Sequence, residues 1–559
     1  MIDVNLEPDT RQLDELVVVG YGTQKRSDLT GSIASADIES FRESPNLNVM
    51  QSLQGSVPGV QIGQVNQAGQ EPSIEIRGRS TISGNTSPLI VVDGIIFRGR
   101  VSDLNPADIA SVDVLKDASS KAIYGAQAAN GVLLITTKSG KTDTKPIISY
   151  SGSVSTQSPT VNARLLNREE FLEKVRDIEY KKAFMAPDYT QPNPNWDFPI
   201  SELRPAHVIG IQKGSDFDWW DALTTNAYIS DHLVSVGGRS GVTSYYISAG
   251  HTKQRGIILM DNYKRNTARI NLDIDITKWL KIGVNSFGSF ADKSGNYPHM
   301  GSLVAIGSPL ITAWDENGNY AITPTGTNNV NPYLNMLADD KDVQNRLAGN
   351  LYALVQIPGV EGLSYRMNYS NNYRWDKHFY SNPYDNGQNG LAYKANSSQS
   401  DMMLDNIFTY DRQLGDHNLN ITAIAGYNEI NQESSRAEGQ NYSNLILSYN
   451  SLQQGVNQFV TSGAWKEAYV YQMGRINYNF RRRYMFTATL RRDGFSGFAR
   501  NNKIAYFPSV GVAWVVSNEP FYNLENLENL KLRLSYGKNG NQTTRYNSLA
   551  RVSSSTASH

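Results

Sequence analysis

Side chains that alternate between apolar and polar with a period of two, over runs of about ten residues, constrain this chain more than any other feature. Ala268, Ile270, Leu272, Ile274 and Ile276 share one face of such a run, with Thr267, Arg269, Asn271, Asp273 and Asp275 on the other. The pattern returns with Gly474, Ile476, Tyr478 and Phe480 against Arg475, Asn477, Asn479 and Arg481, and with Tyr484, Phe486, Ala488 and Leu490 against Arg483, Thr487, Thr489 and Arg491. Val510, Val512 and Trp514 continue it, as do Leu532, Leu534 and Tyr536. A tilted strand needs about ten residues to cross the hydrocarbon layer, and about thirteen such strands are read after residue 145. Alternation alone also fits a soluble sandwich. The long polar segments 292–344 and 370–400 favour the external loops of a membrane barrel over sandwich turns.

Composition narrows the choice. At 559 residues the chain exceeds one ordinary domain, and no stretch approaches the ~18 consecutive apolar residues of a spanning helix. A spanning structure must then be a closed barrel, because only helices and barrels satisfy their backbone in lipid. Tyrosine (31) outnumbers phenylalanine (17) and tryptophan (8), as suits rings with one end in lipid and one in water. The 52 basic residues nearly cancel the 53 acidic ones, which leaves no footprint for nucleic acid. With no cysteine there is neither a disulfide nor a thiolate site.

Residues 27–144 read differently, as a compact α+β unit. Ser73-Ile74-Glu75-Ile76-Arg77-Gly78 is a strand ending in a glycine turn, and Leu89-Ile90-Val91-Val92 a buried strand ending at the hairpin pair Asp93-Gly94. Pro106 stands just inside a helix start, Val112 to Leu115 is a strand, Ser119 to Ala129 a small-residue helix, and Gly131 its terminator. Just ahead lies Leu13-Asp14-Glu15-Leu16-Val17-Val18-Val19, a β-branched run between acids and Gly20, fit to add as an edge strand to a partner's sheet.

In order and spacing, Leu89 to Gly94, Val114 to Ser119, Ala122 to Gly125 and Ala128 to Lys138 closely resemble the plug of SusC-like (RagA-type) TonB-dependent outer-membrane transporters. The resemblance implies an antiparallel membrane β-barrel, of 22 strands when complete and about 13 here, with the α+β plug filling its lumen. It matches the plug motif at Arg77, Gly78, Asp93, Gly94, Lys116, Asp117, Tyr124, Gly125 and Gly131, all read as scaffold and plug-to-wall contacts, with Arg77, Lys116 and Asp117 as the charged contacts to the lumen. It makes Leu13 to Val19 the TonB box. The implied divisions are the end of a carboxypeptidase-regulatory-like domain (1–12), box and linker (13–26), plug (27–144) and the first part of the barrel (145–559), an internal piece with its signal peptide and closing strands elsewhere. Implied partners are TonB with ExbB and ExbD, a SusD-like surface lipoprotein, outer-membrane lipid, and a glycan, oligosaccharide or peptide to be imported. The rival reading is a surface glycan-binding or adhesive β protein without transport.

Other chemistry is sought without success. Gly140-Lys141-Thr142 lacks the earlier glycine of a phosphate loop, since Ile135 stands there. The seven histidines are scattered without a zinc signature, and the calcium-like start at Asp315 has Gly326 where the bidentate glutamate belongs, so neither metal nor cofactor is expected. No carboxylate pair is singled out for glycan hydrolysis, and no catalytic residue is assigned. In Asp216-Phe217-Asp218-Trp219-Trp220-Asp221, Trp219 and Trp220 could stack on a sugar or form an interfacial or loop core. A charged helix after the first wall strand, around Arg168 to Lys174, belongs outside the hydrocarbon.

Overall fold

The computed structural model describes residues 16–19, 22–25, 30–31, 33–36, 48–78, 86–140, 145–159, 164–196, 204–302, 307–315, 317–324, 330–385, 389–499, 501–523, 527 and 529–540. Two short strands come first, β1 (Leu16–Val19) and β2 (Gly22–Lys25), hydrogen-bonded to each other as a hairpin. The plug follows with β3 (Ile33–Ser35), β4 (Val60–Ile62), β5 (Ile74–Ile76), β6 (Leu89–Val92), β7 (Ile95–Ile96), β8 (Ile109–Leu115) and β9 (Val132–Thr137). Five of these form one sheet in the order β3-β8-β9-β6-β7, with β6 parallel to β9. Central β9 is apolar in succession because both its faces are covered. Leu133 and Ile135 face a core with Val112, Val114 and Leu53, while Val132 and Leu134 face a second with Ile123 and Tyr124. Each such side chain contributes about 1.5–3 kcal/mol by leaving water.

Thirteen antiparallel strands then run neighbour to neighbour: β10 (Ile147–Gln157), β11 (Ala227–Ser240), β12 (Thr243–Arg255), β13 (Asn262–Asp275), β14 (Leu280–Asp292), β15 (Asp339–Gln356), β16 (Leu363–Asn382), β17 (Leu391–Leu414), β18 (His417–Gln440), β19 (Asn457–Phe480), β20 (Tyr484–Phe495), β21 (Ile504–Val515) and β22 (Lys531–Gly537). The number agrees with the count of alternating runs. At one end the connections are mostly tight, such as 241–242, 415–416 and 481–483; at the other they include 158–226, 293–338 and 441–456. That asymmetry is the mark of a short-turn periplasmic end and a long-loop outer end.

The burial of this sheet is inside out. Ile270, Leu351 and Leu490 are about half exposed, while Arg265, Arg269 and Arg491 between them are 1–3% exposed. A water-soluble sheet would reverse the two sets. The buried face turns to the plug: Phe287 and Ala348 belong to one plug core, and Met403, Ile407, Ile424, Tyr471 and Met473 to the other. Among the described residues no helix is long and apolar enough to cross a membrane.

Three local expectations are corrected. Residues 370–400 are mostly strand, in β16 and β17, with only 383–390 between them. The expected helix over 119–129 is a turn of α-helix (Ala118–Lys121) followed by 3-10 turns broken at Gly125, where φ is 58° and ψ −134°. At Pro106 a single 3-10 turn, capped by Asn105, stands in place of a helix.

Candidate functional site

Wall guanidiniums hold the plug at its turns. Arg269 on β13 lies 3.5 Å from the Asp108 carboxylate and 3.8 Å from that of Asp93, and Tyr246 donates to Asp108 at 2.9 Å. Asp93 and Gly94 take φ of 49° and 83°, as a two-residue hairpin between β6 and β7 demands. The Asp93 carboxylate also accepts the Thr137 amide (2.8 Å) and hydroxyl (2.7 Å), locking the hairpin to β9. Arg346 on β15 pairs with Asp103 at 3.1 Å, and Arg265 on β13 donates to the carbonyls of Ser102 and Leu104. One pair runs the other way, from plug Arg98 to wall Asp401 at 3.3 Å.

At Tyr124-Gly125 the reason for the motif is steric. Arg491 on β20 donates to the Ile123 carbonyl and pairs with Asp493 at 2.6 Å; Asp493 in turn accepts the Ala126 amide at 2.9 Å. A Cβ on Gly125 would overlap the Asp493 carboxylate and sit 2.6 Å from Arg491 Nε. Tyr124 is buried beside it. Gly131 takes φ of 96°, and a Cβ there would stand 2.7 Å from Ile76. Arg77, Lys116 and Asp117, expected to face the lumen, make their visible contacts inside the plug. Arg77 (φ 58°, followed by Gly78 at 81°) pairs with Asp117 at 3.0 Å and donates to the Lys116 carbonyl, and Lys116 reaches the Pro58 carbonyl. Burial lowers the Lys116 ammonium's pKa.

The plug charges paired with the wall include Asp93, Asp103 and Asp108, and Arg98 in the opposite sense. Arg269 carried a readable hint: it sits on the polar face of an alternating strand, where a cation with no solvent to face needs an acid from another element.

Above the plug, toward the long-loop end, lies a cavity of about 430 Å³. Its floor is the 67–71 loop and Arg100; its walls include Asp261, Lys293, Asp340, Asp342, Tyr380 and Tyr393. The loop is tied down by wall acceptors, Asp261 taking the Ala68 amide (2.9 Å) and Gln254 the Gly69 amide (3.0 Å). Glu71 accepts the Ser102 amide at 2.7 Å, next to the carbonyl that Arg265 holds. Burial raises the pKa of Glu71 and of Asp261 and lowers that of Lys293. The result is a polar, mixed-charge recess in which a ligand touching the floor touches groups that also seat the plug. Among the described residues no group of three metal-ligating side chains is arranged to hold an ion.

Trp219 is not a ligand platform. It is fully buried, donates to the Ile311 carbonyl at 3.0 Å and packs with Leu223, Ala313 and Tyr333 as the core of a loop unit; Trp220, half-buried, packs against that core. The helix Arg168–Ile178 stands exposed beyond the wall, with a capping box from Asn167 and Glu170. Of the run expected to bind TonB, Leu13, Asp14 and Glu15 lie outside the described residues, and Leu16, Val17, Val18 and Val19 form β1, which pairs with β2.

Comparison with known proteins agrees with this architecture. Residues 25–132 match the TonB-dependent Receptor Plug Domain family. The chain is 32% identical to TonB-dependent receptor P3 of Formosa agariphila over 99% of its own length and 54% of the relative's. It is 30% identical to TonB-dependent receptor SusC of Bacteroides thetaiotaomicron over 97% and 55%. It thus spans about half the length of these relatives. The solved RagAB peptide importer in its open-open state superposes with a TM-score of 0.80 at 27% identity, over 94% of this chain and 61% of that one.

Proposed function

We propose, for a chain that belongs to the SusC/RagA-like TonB-dependent receptors, a part in energised import across the outer membrane, of a glycan, oligosaccharide or peptide too large to diffuse through a pore. A ligand enters the recess above the plug, under a SusD-like surface lipoprotein that closes the mouth. Contacts with the 67–71 loop then bias the plug, and TonB, energised by ExbB and ExbD, adds a strand to the Leu13 to Val19 segment and pulls.

The observation that carries this reading is how the plug is held. It is seated by separate buried contacts from wall arginines: ion pairs from Arg269 to Asp93 and Asp108 and from Arg346 to Asp103, and a hydrogen bond from Arg491 to the Ile123 carbonyl. Breaking one such pair costs about 3–5 kcal/mol, comparable to the ~5 kcal/mol that two charges release on crossing ~100 mV. Successive rupture under a pull is thus within reach of the proton-motive force, without a nucleotide site. β1 supports the role of handle, since among the described residues it pairs with β2 alone. Deletion of residues 13–19 from the full-length gene should abolish growth on the substrate while surface binding persists. Uptake at the parental rate would refute the proposal.

A further inference from the structure

The lipid-facing side of β11, β12 and β13 changes character within a few rows. Cross-strand register stacks Val236, Ile247 and Ile270, and above them Val234, Ala249 and Ala268, as an apolar band. The next row toward the long-loop end holds His232, His251 and Asn266, the one above it places Lys253 directly opposite Lys264, and Arg255 follows. Directly opposed residues have Cβ atoms only about 4.5–5.5 Å apart, and like charges so placed repel. Both lysines are exposed, and among the described residues neither they nor Arg255 make an ion pair. Asp292, the carboxylate beside Lys264, accepts the Ser294 amide at 2.9 Å and pairs with no cation among those residues. Elsewhere on the same surface a cation is neutralised within the sheet: Lys466 on β19 lies 2.6 Å from Glu429 on β18.

Lys264 lies four steps along the strand from Ala268, about 13 Å in length and about 10 Å in height at ordinary barrel tilt. The headgroup layer is about 5–8 Å deep on each side, which the flexible lysine stems reach from that height by snorkelling toward it. We propose that this patch binds the phosphate headgroup of an anionic glycolipid of the outer leaflet, with Lys253 and Lys264 sharing one phosphate, Arg255 above it and the acyl chains lying on the Ile247 and Ile270 band. A soluble polyanion would find the same cations but no use for that band.

The test is retention of phosphorylated lipid A by the full-length protein taken from its membrane into mild detergent, read by native mass spectrometry, for the parent, Lys253→Gln/Lys264→Gln, Lys253→Arg/Lys264→Arg and the control Lys466→Gln. Two lysines at about fivefold each predict about 25-fold weaker retention in the double Gln protein, and parental retention in the Arg pair and the control. Vesicles with dephosphorylated lipid A should bind as weakly as the double Gln variant. Equal retention by the parent and the double Gln protein would overturn the site, as would equal binding of inorganic phosphate without lipid. A parent that carries no lipid and needs no detergent would overturn the orientation of the wall together with the site.

Discussion

The plug and the wall bury opposite things. In the plug, Leu133, Ile135, Val112 and Val114 are sealed from solvent, as in any water-soluble α+β unit. In the wall the buried side chains include Arg265, Arg269, Arg346 and Arg491, and the apolar ones are turned out. The same period-two grammar builds both, and the difference is what stands on each side of the sheet. Lipid takes the aliphatic face at no cost, while the plug supplies carboxylates and carbonyls that make buried guanidinium tolerable. The wall is thus a sheet whose polar core is completed by another segment of the chain, and that dependence is what a pull on the plug would exploit.

The comparison breaks most readily at Arg269. Arg269→Met leaves Asp93 and Asp108 without their shared cation and should destabilise plug seating by about 3–5 kcal/mol, seen as faster hydrogen exchange in 91–96 and 106–110. Next is Ile270→Arg, on the outward face. In lipid it should cost about 2–4 kcal/mol of folding into vesicles, whereas on a soluble sheet an exposed site would change by no more than about 0.5 kcal/mol. Gly125→Ala should cost about 2 kcal/mol from backbone strain alone, with the loss read as protease access to the 122–128 segment. Smallest is a pH effect at Glu71, whose carboxyl is held above its ordinary 4.5 by burial. Because the seated plug favours the protonated form, the contribution is whole below 4.5 and is lost as pH rises from there through the raised value. Hydrogen exchange in the 67–71 loop should quicken over that window in the parent and stay flat in Glu71→Gln.

Much of this architecture could be read from the chain. Alternation gave thirteen strands because a period of two survives whichever solvent lies outside, and the order of motifs located the plug. The direction in which the wall faces could not be read, since Ile270 and Arg269 alternate identically in a sandwich. Residues 370–400 misled for a related reason: above the bilayer a strand is wet on both faces, so 394–400 in β17 loses its apolar alternation and reads as a loop. Gly125 misled because small residues suggest helix, while the backbone there answers to Asp493 some 367 residues away. Arg77, Lys116 and Asp117 were singled out by motif and charge, but an exposed turn gave them partners of their own within the plug.

The wall's orientation is tested most directly by single thiols introduced into this cysteine-free chain, with any cysteine elsewhere in the full-length protein first replaced by serine. Nitroxides placed in the full-length protein at 486, 488 and 490, and at 487 and 489, should divide by parity: the even set open to oxygen in the lipid phase and closed to a water-soluble nickel reagent, the odd set shielded from both by the plug. Equal access of the nickel reagent to the even positions would contradict a lipid-facing wall and leave a sheet in water.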